Sequence, residues 1–231
     1  MRKEVTNIVL TGGPCAGKTT ALAKITQYFT YRGFAVYTQP EAATLFNQGG
    51  VNFLTDDKAL FFESEKQLLS FQLHTEECFR KMAEKAGKPA IIVYDRGVMD
   101  IAAYMNGDTW QALLDEMGLN EVEVRDSRYD AVLHLCTAAK GAEKFYTCDN
   151  NSSRTESLEH ANTLDDNVIR AWTGHPHLRI IPNNGTFEDK LNAARRAGTK
   201  VILVKRPDDT GLDFDDTVKL LEERLGVEIR R

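Results

Sequence analysis

The segment Gly12-Gly13-Pro14-Cys15-Ala16-Gly17-Lys18-Thr19-Thr20 follows the apolar run Ile8-Val9-Leu10 and precedes a stretch of helical spacing. No other feature restricts the fold of this chain so tightly. G-x-x-x-x-G-K-T describes a turn whose backbone N–H groups converge on an anion, while the next helix presents its positive end. The turn needs a strand before it and a helix after it, and both are where the pattern demands. Gly12 and Gly17 supply backbone freedom and close approach that a side chain would forbid. Gly12, Gly13, Pro14, Cys15, Ala16, Gly17, Lys18, Thr19 and Thr20 are therefore expected to cradle a polyphosphate. Lys18 is expected to reach the β- and γ-phosphates, and the Thr19 hydroxyl to ligate Mg²⁺. The loop implies a nucleoside triphosphate, GTP or ATP, and carries no information on the base.

Periodicity extends this start into an architecture. Leu22, Ile25 and Phe29 recur at helical spacing, and Gly33 closes the helix. Residues 34–38 read as a second strand stopped by Pro40, and Asn47-Gln48-Gly49-Gly50 reads as a loop. A long helix is predicted over 57–86, with Leu60, Phe61, Leu68, Leu69, Phe71, Cys78, Phe79 and Met82 on its apolar faces. A third strand covers 90–94, helices cover 100–105 and 110–117, and a fourth strand covers 129–135. Ser153-Arg154-Thr155-Glu156 fits a capping box, opening a helix that buries Leu158, Ala161, Leu164, Val168 and Trp172. Residues 178–181 read as a fifth strand. Strands alternating with helices predict an α/β fold, three layers around a parallel, doubly wound sheet of about five strands. Residues 200–205 read as a sixth strand and 214–225 as a terminal helix. A nucleotide-binding domain over 1–197 is thus expected to be followed by a strand-helix extension over 198–231.

At 231 residues the chain can bury a substantial core in one domain. Its formal charge of −5 argues against a broad nucleic-acid surface, so no nucleic-acid partner is expected. No apolar run is long enough for a transmembrane segment, and Met1-Arg2-Lys3-Glu4 leads into the first strand without room for a secretory signal. Cys15, Cys78, Cys136 and Cys148 follow neither a metal nor a disulfide spacing, which fits a reduced, cytoplasmic protein. Cys15 lies near a helix N-terminus, a position that favours a thiolate and hence oxidation.

Carboxylates at strand ends supply the next candidates. Asp95 directly follows the third apolar strand, where phosphate-loop proteins hold Mg²⁺, usually through water. Arg96 beside it would face the phosphates, although a turn salt bridge would use the same residues. Glu41 follows the second strand; it could take the proton of an attacking hydroxyl or simply open the next helix after Pro40. Arg154 begins a helix after a polar loop, where an arginine on a lid neutralises a transferring phosphoryl group. Lys140 and Lys144 of that loop could act likewise, or be solvated. His175-Pro176-His177 suggests either a turn or half of a zinc site, Gln67 and Gln72 either surface glutamines or readers of a base edge, and Asn183 either turn chemistry or packing against a nucleobase.

Whole stretches resemble the AAA-type ATPase/kinase-like phosphate-loop family: residues 11–20, Pro40-Glu41-Ala42-Ala43, and Tyr94-Asp95-Arg96-Gly97-Val98-Met99-Asp100. Lys140-Gly141-Ala142-Glu143-Lys144-Phe145-Tyr146, Arg154-Thr155-Glu156 and Ala171-Trp172-Thr173-Gly174-His175-Pro176 add to it, as does the stretch 187–191. The likeness is greatest to the translocation-defect proteins of photoreceptor trafficking, over about residues 5–195, and more distant to the nicotinamide-riboside kinase domain. That resemblance implies a nucleoside/nucleotide-kinase-like fold with an arginine-bearing lid and favours GTP over ATP. It also implies phosphoinositide or protein partners, and phosphate contacts from Arg96 and Arg154. Glu41 resembles the acid that nucleoside kinases use as base. Three activities follow: transfer of a phosphoryl group to a small hydroxyl acceptor, a GTP-dependent regulator with little turnover, and a phosphoinositide binder. Residues 198–231 have no counterpart in the resemblance.

Overall fold

The computed structural model describes residues 5–141, 158–183 and 186–204. Strands β1 (Val5–Gly12), β2 (Ala35–Gln39), β3 (Ala90–Asp95), β4 (Ala131–Leu135) and β5 (Leu178–Ile181) form one sheet in the order β2-β3-β1-β4-β5. Every neighbouring pair is parallel. The helices are α1 (Lys18–Tyr31), α2 (Ala42–Gln48), α3 (Lys58–Glu84), α4 (Val98–Ala102), α5 (Gly107–Met117), α6 (Leu158–Trp172) and α7 (Phe187–Val204). A π-helical turn, Glu123–Ser127, precedes β4.

Alternation along the central strands divides the core between two faces. Ile8, Leu10, Ile91, Val93, Leu133 and Leu135 face α1 and α7 and pack with Ala21, Ile25, Phe29, Leu191 and Ala194. Val9, Ile92, Tyr94 and Val132 point the other way, onto Leu68, Leu69, Leu113, Leu114, Val168 and Trp172. Both faces are covered, as an all-parallel sheet requires. The chain passes from β1 outward to β2, returns to β3, then crosses β1 to reach β4. The strand order therefore reverses at β1 and β3, whose carboxyl ends open the crevice where ligands of such sheets gather. Registry sets Leu10 beside Asp95 and Gly12 beside Leu135, so the glycine loop and the turn after β3 share that crevice.

Most boundaries agree with the expected ones to within two residues. Asp57 caps α3, its carboxylate accepting from the Ala59 and Leu60 amides at 2.9 and 3.1 Å. Several expectations are corrected. Residues 200–204, expected as a strand, continue α7 to Val204. The helix is already running when the apolar run arrives, and adding a residue to it costs less than nucleating a strand. Asn47 and Gln48, expected in a loop, end α2. Leu60 and Met82 of α3, and Leu158 of α6, lie toward solvent instead of the core. The capping box at 153–156, together with Lys144, Cys148 and Arg154, lies outside the described residues.

Candidate functional site

The glycine loop leaves β1 through Gly12 at φ 147° and enters α1 through Gly17 at φ 87°. A Cβ on Gly12 would stand 2.1 Å from the Leu135 carbonyl oxygen, so only glycine fits there. Cys15 takes a positive φ of 54°, completing the turn. Lys18 folds back over the loop and donates to the Gly12 and Gly13 carbonyls at 3.2 and 3.4 Å. Burial and the nearby Arg96 guanidinium lower its pKa to about 8, against the pull of Glu41, Asp95 and Asp100.

Arg96 organises the facing half. Its backbone stands at φ 69°, a left-handed conformation that a long side chain adopts only under constraint. The Arg96 amide donates to the Leu10 carbonyl, tying the turn to β1. That geometry sends the guanidinium across the crevice, where Nε donates to Glu41 Oε1 at 2.6 Å and Nη1 to Asp100 Oδ1 at 3.0 Å. Asp100 is buried and fully engaged: Thr11 Oγ1, the Gly97 amide and Trp172 Nε1 also donate to it. Arg96 is thus held from both sides and stays charged, its carboxylate neighbours outweighing burial.

Glu41 ends the β2 crossover as the N-terminal boundary residue of α2 and accepts from Thr44 Oγ1 at 2.9 Å. Burial opposes its ionisation, yet Arg96 and Lys18 hold its pKa at about 2. Asp95 behaves oppositely. Burial raises its pKa, Lys18 offsets this only in part, and its buried Oδ1 lacks a hydrogen-bond partner. An orphaned carboxylate oxygen at the end of β3, with Thr19 exposed at the head of α1, fits the demands of a hydrated Mg²⁺. The structure therefore brings Lys18, Glu41, Asp95 and Arg96 together, from three strand ends.

Other candidates take different places. Lys140 pairs with Asp165 Oδ2 at 2.9 Å and Asp166 Oδ1 at 2.5 Å, on α6. Asn183 donates to the Thr137 and Lys140 carbonyls at 2.6 and 2.8 Å and accepts from buried Lys190, bracing the segment after β4. Gln72 is buried and donates to Glu76 and to the Arg96 carbonyl, whereas Gln67 is exposed and bonds Glu63. His175 packs inward with Nε2 3.1 Å from the Tyr129 carbonyl and its Nδ1 accepting from the His177 amide, which makes His175-Pro176-His177 a turn. Among the described residues, the one cluster with metal-ligating side chains is His134, Cys136 and Asp165. It is also bonded by Lys140 and two backbone amides, the pattern of a hydrogen-bonded hub.

Two groups escaped the sequence reading. The sequence pattern puts Asp100 on a helix and assigns it no role, although its i,i+4 spacing from Arg96 is a usable signal. Asp165 lay among apolar positions of a helix otherwise rich in polar residues, and nothing local to it pointed at the loop.

The family described as AAA domain matches residues 7–190, and the chain belongs to that family. No curated protein sequence matches it. Its fold is similar to deoxyadenosine kinase from M. mycoides with bound dATP, at 15% identity and a TM-score of 0.52 over 83% of this chain and 97% of that one. Thymidylate kinase from Ehrlichia chaffeensis is similar at 17% identity and a TM-score of 0.53, over 86% and 99%. The NadR protein in complex with NAD and AMP-PNP is similar at 14% identity and a TM-score of 0.57, over 91% of this chain and 52% of that one. The fold is thus the three-layer phosphate-loop type that nucleoside and nucleotide kinases use. Among the described residues no helix is long and apolar enough to cross a membrane.

Proposed function

We propose that this member of the AAA-domain family transfers the γ-phosphoryl group of a purine nucleoside triphosphate to a hydroxyl of a small, nucleoside-type acceptor. One observation carries the reading: Lys18, Asp95, Arg96 and Glu41 converge on a single crevice at the carboxyl ends of β1, β3 and β2. Lys18 and the loop amides would hold the triphosphate, and Arg96 would meet the transferring group from the acceptor side. Thr19 directly and Asp95 through water would hold Mg²⁺, which when bound would supply positive charge to offset that of the phosphates. Transfer breaks the bond from γ-phosphorus to the bridging oxygen, leaving the nucleoside diphosphate in the loop, and forms one to the acceptor oxygen, whose proton would pass late in the step to the Glu41 carboxylate. With a pKa of about 2, Glu41 is a weak base in the resting site. A loose transition state asks for little proton removal early, so its first task is to orient the hydroxyl beside Arg96. Arg154, outside the described residues, is proposed to add positive charge from a lid.

The fold shared with deoxyadenosine kinase and thymidylate kinase, and the acid at position 41, favour this reading over a regulator without turnover. Guanine as the base and phosphoinositide or protein partners rest on the resemblance to the translocation-defect proteins over about residues 5–195, not on the phosphate loop itself. The test is a panel of nucleosides and nucleotides incubated with Mg²⁺ and ATP or GTP, with phosphorylated product read by mass spectrometry. Product from a nucleoside acceptor, lost in Glu41→Gln, supports a kinase. Tight GTP binding without any product sends the reading to the regulator.

A further inference from the structure

Gly13 is not required by the phosphate-loop pattern, which leaves that position open. Its φ is not in the left-handed region, so backbone freedom does not explain it either. A neighbour does. A Cβ at Gly13 would meet Asp165 Oδ1 at 2.8 Å and the Thr137 Cβ at 3.1 Å. Asp165 is fully buried on α6, 152 residues further along the chain, and its Oδ1 accepts from the Gly13 amide at 2.9 Å. The same oxygen accepts from the Thr137 amide at 3.1 Å, and Thr137 Oγ1 donates to the Pro14 carbonyl at 2.5 Å.

A carboxylate beside a polyphosphate loop would repel its ligand unless neutralised. His134 Nε2 lies 3.0 Å from Oδ1 and Lys140 Nζ 2.9 Å from Oδ2, and together with the amides they hold the Asp165 pKa far below the usual carboxylate range. The charge is therefore spent locally, and what reaches the loop is geometry. Two turns along α6, Trp172 repeats the arrangement on the acceptor side. Its indole donates to Asp100, and a Cβ on Gly97 would meet its ring at 2.9 Å. Two glycines, one in each loop of the crevice, thus admit one helix.

We propose that Asp165 is a positioning residue for triphosphate binding: it fixes the Gly13 amide and so presets the first half of the phosphate loop. Through Trp172 and Asp100, α6 holds Arg96 in register with that loop. The proposal deepens the kinase reading and rests on its triphosphate site.

The experiment measures calorimetric binding of ATP and GTP with Mg²⁺, with melting and amide hydrogen exchange of the unliganded loop as parallel readouts. Asp165→Ala, if folded, is expected to bind about tenfold more weakly (~1.4 kcal/mol). Exchange across residues 8–17 should accelerate. Asp165→Asn, which keeps the accepting oxygen, should restore most of the affinity. Gly13→Ala gives a second route should Asp165→Ala not fold, since its methyl displaces the same carboxylate; about tenfold weaker binding is expected. Combining both substitutions should cost no more than one, because contacting residues couple. Wild-type affinity in folded Asp165→Ala or Gly13→Ala, additive losses in the pair, or unchanged loop exchange overturns the proposal. If the wild-type protein binds neither nucleotide, the functional reading fails by itself, and the exchange comparison still decides whether Asp165 holds the loop.

Discussion

Glu65 offers a measurable test of burial in the core under α3. It stands on the inner face of α3 at 3% exposure, and burial alone raises its pKa from 4.5 to about 7. Between those values the folded protein keeps the proton and the unfolded chain has lost it. The unfolded state then binds fewer protons, so stability falls as pH rises from 4.5 to 7 and levels off above. At ~1.36 kcal/mol for each pH unit crossed, the ionised carboxylate costs the fold about 3 kcal/mol at pH 8. Glu65→Gln replaces it with a neutral group of the same shape. The variant should match the wild-type protein near pH 4.5 and exceed it at pH 8 by up to about 3 kcal/mol. In a protein of this size that is a rise in melting temperature of roughly 5–10 °C. Melting curves of both proteins from pH 4.5 to 8.5 give the difference directly. A gap independent of pH, or a variant less stable at pH 8, would refute the reasoning.

Further outcomes follow from the site. Lys18→Ala removes a charge-assisted contact of ~1.5–3 kcal/mol, so triphosphate affinity should drop about tenfold to hundredfold while the circular dichroism spectrum is unchanged; unchanged titration would remove Lys18 from the site. Because the free Lys18 ammonium loses its proton near pH 8, affinity should fall as pH rises beyond 8, a slope that Lys18→Arg should flatten because the guanidinium stays protonated. Glu41→Gln should retain nucleotide binding and lose acceptor phosphorylation; equal turnover would leave Glu41 only its place at the head of α2 and its bond to Arg96. Gly12→Ala drives a methyl onto the Leu135 carbonyl and should abolish binding or folding, and a folded variant of wild-type affinity would contradict the loop geometry.

Much of this was legible in the residues, and for physical reasons. The glycine loop announces itself because a polyphosphate cradle needs glycine at fixed spacing, and the strands at 8–10 and 90–94 because doubly covered strands read as unbroken apolar runs. Asp95 and Glu41 follow from where such strands end. The misplaced pieces depend on contacts distant in sequence. The run at 200–204 has strand-like residues but continues an existing helix, and short apolar runs do not distinguish the two. The left-handed backbone of Arg96 and its pairing with Glu41, 55 residues away, have no counterpart in any local pattern. Asp165 sits beside the buried face of α6, but its partner Gly13 is 152 residues away, and no local pattern points there. Lys140, read from sequence as either a phosphate contact or a solvated lysine, pairs with that acid instead.

The central claim is a triphosphate site built on Lys18 and the loop. Calorimetric titration of the full chain with ATP and with GTP, each with Mg²⁺, tests it most directly. Saturable binding of one nucleotide per chain is predicted, weakened about tenfold to hundredfold in Lys18→Ala, with the favoured base revealed by the stronger isotherm. A folded protein that binds neither nucleotide would contradict it.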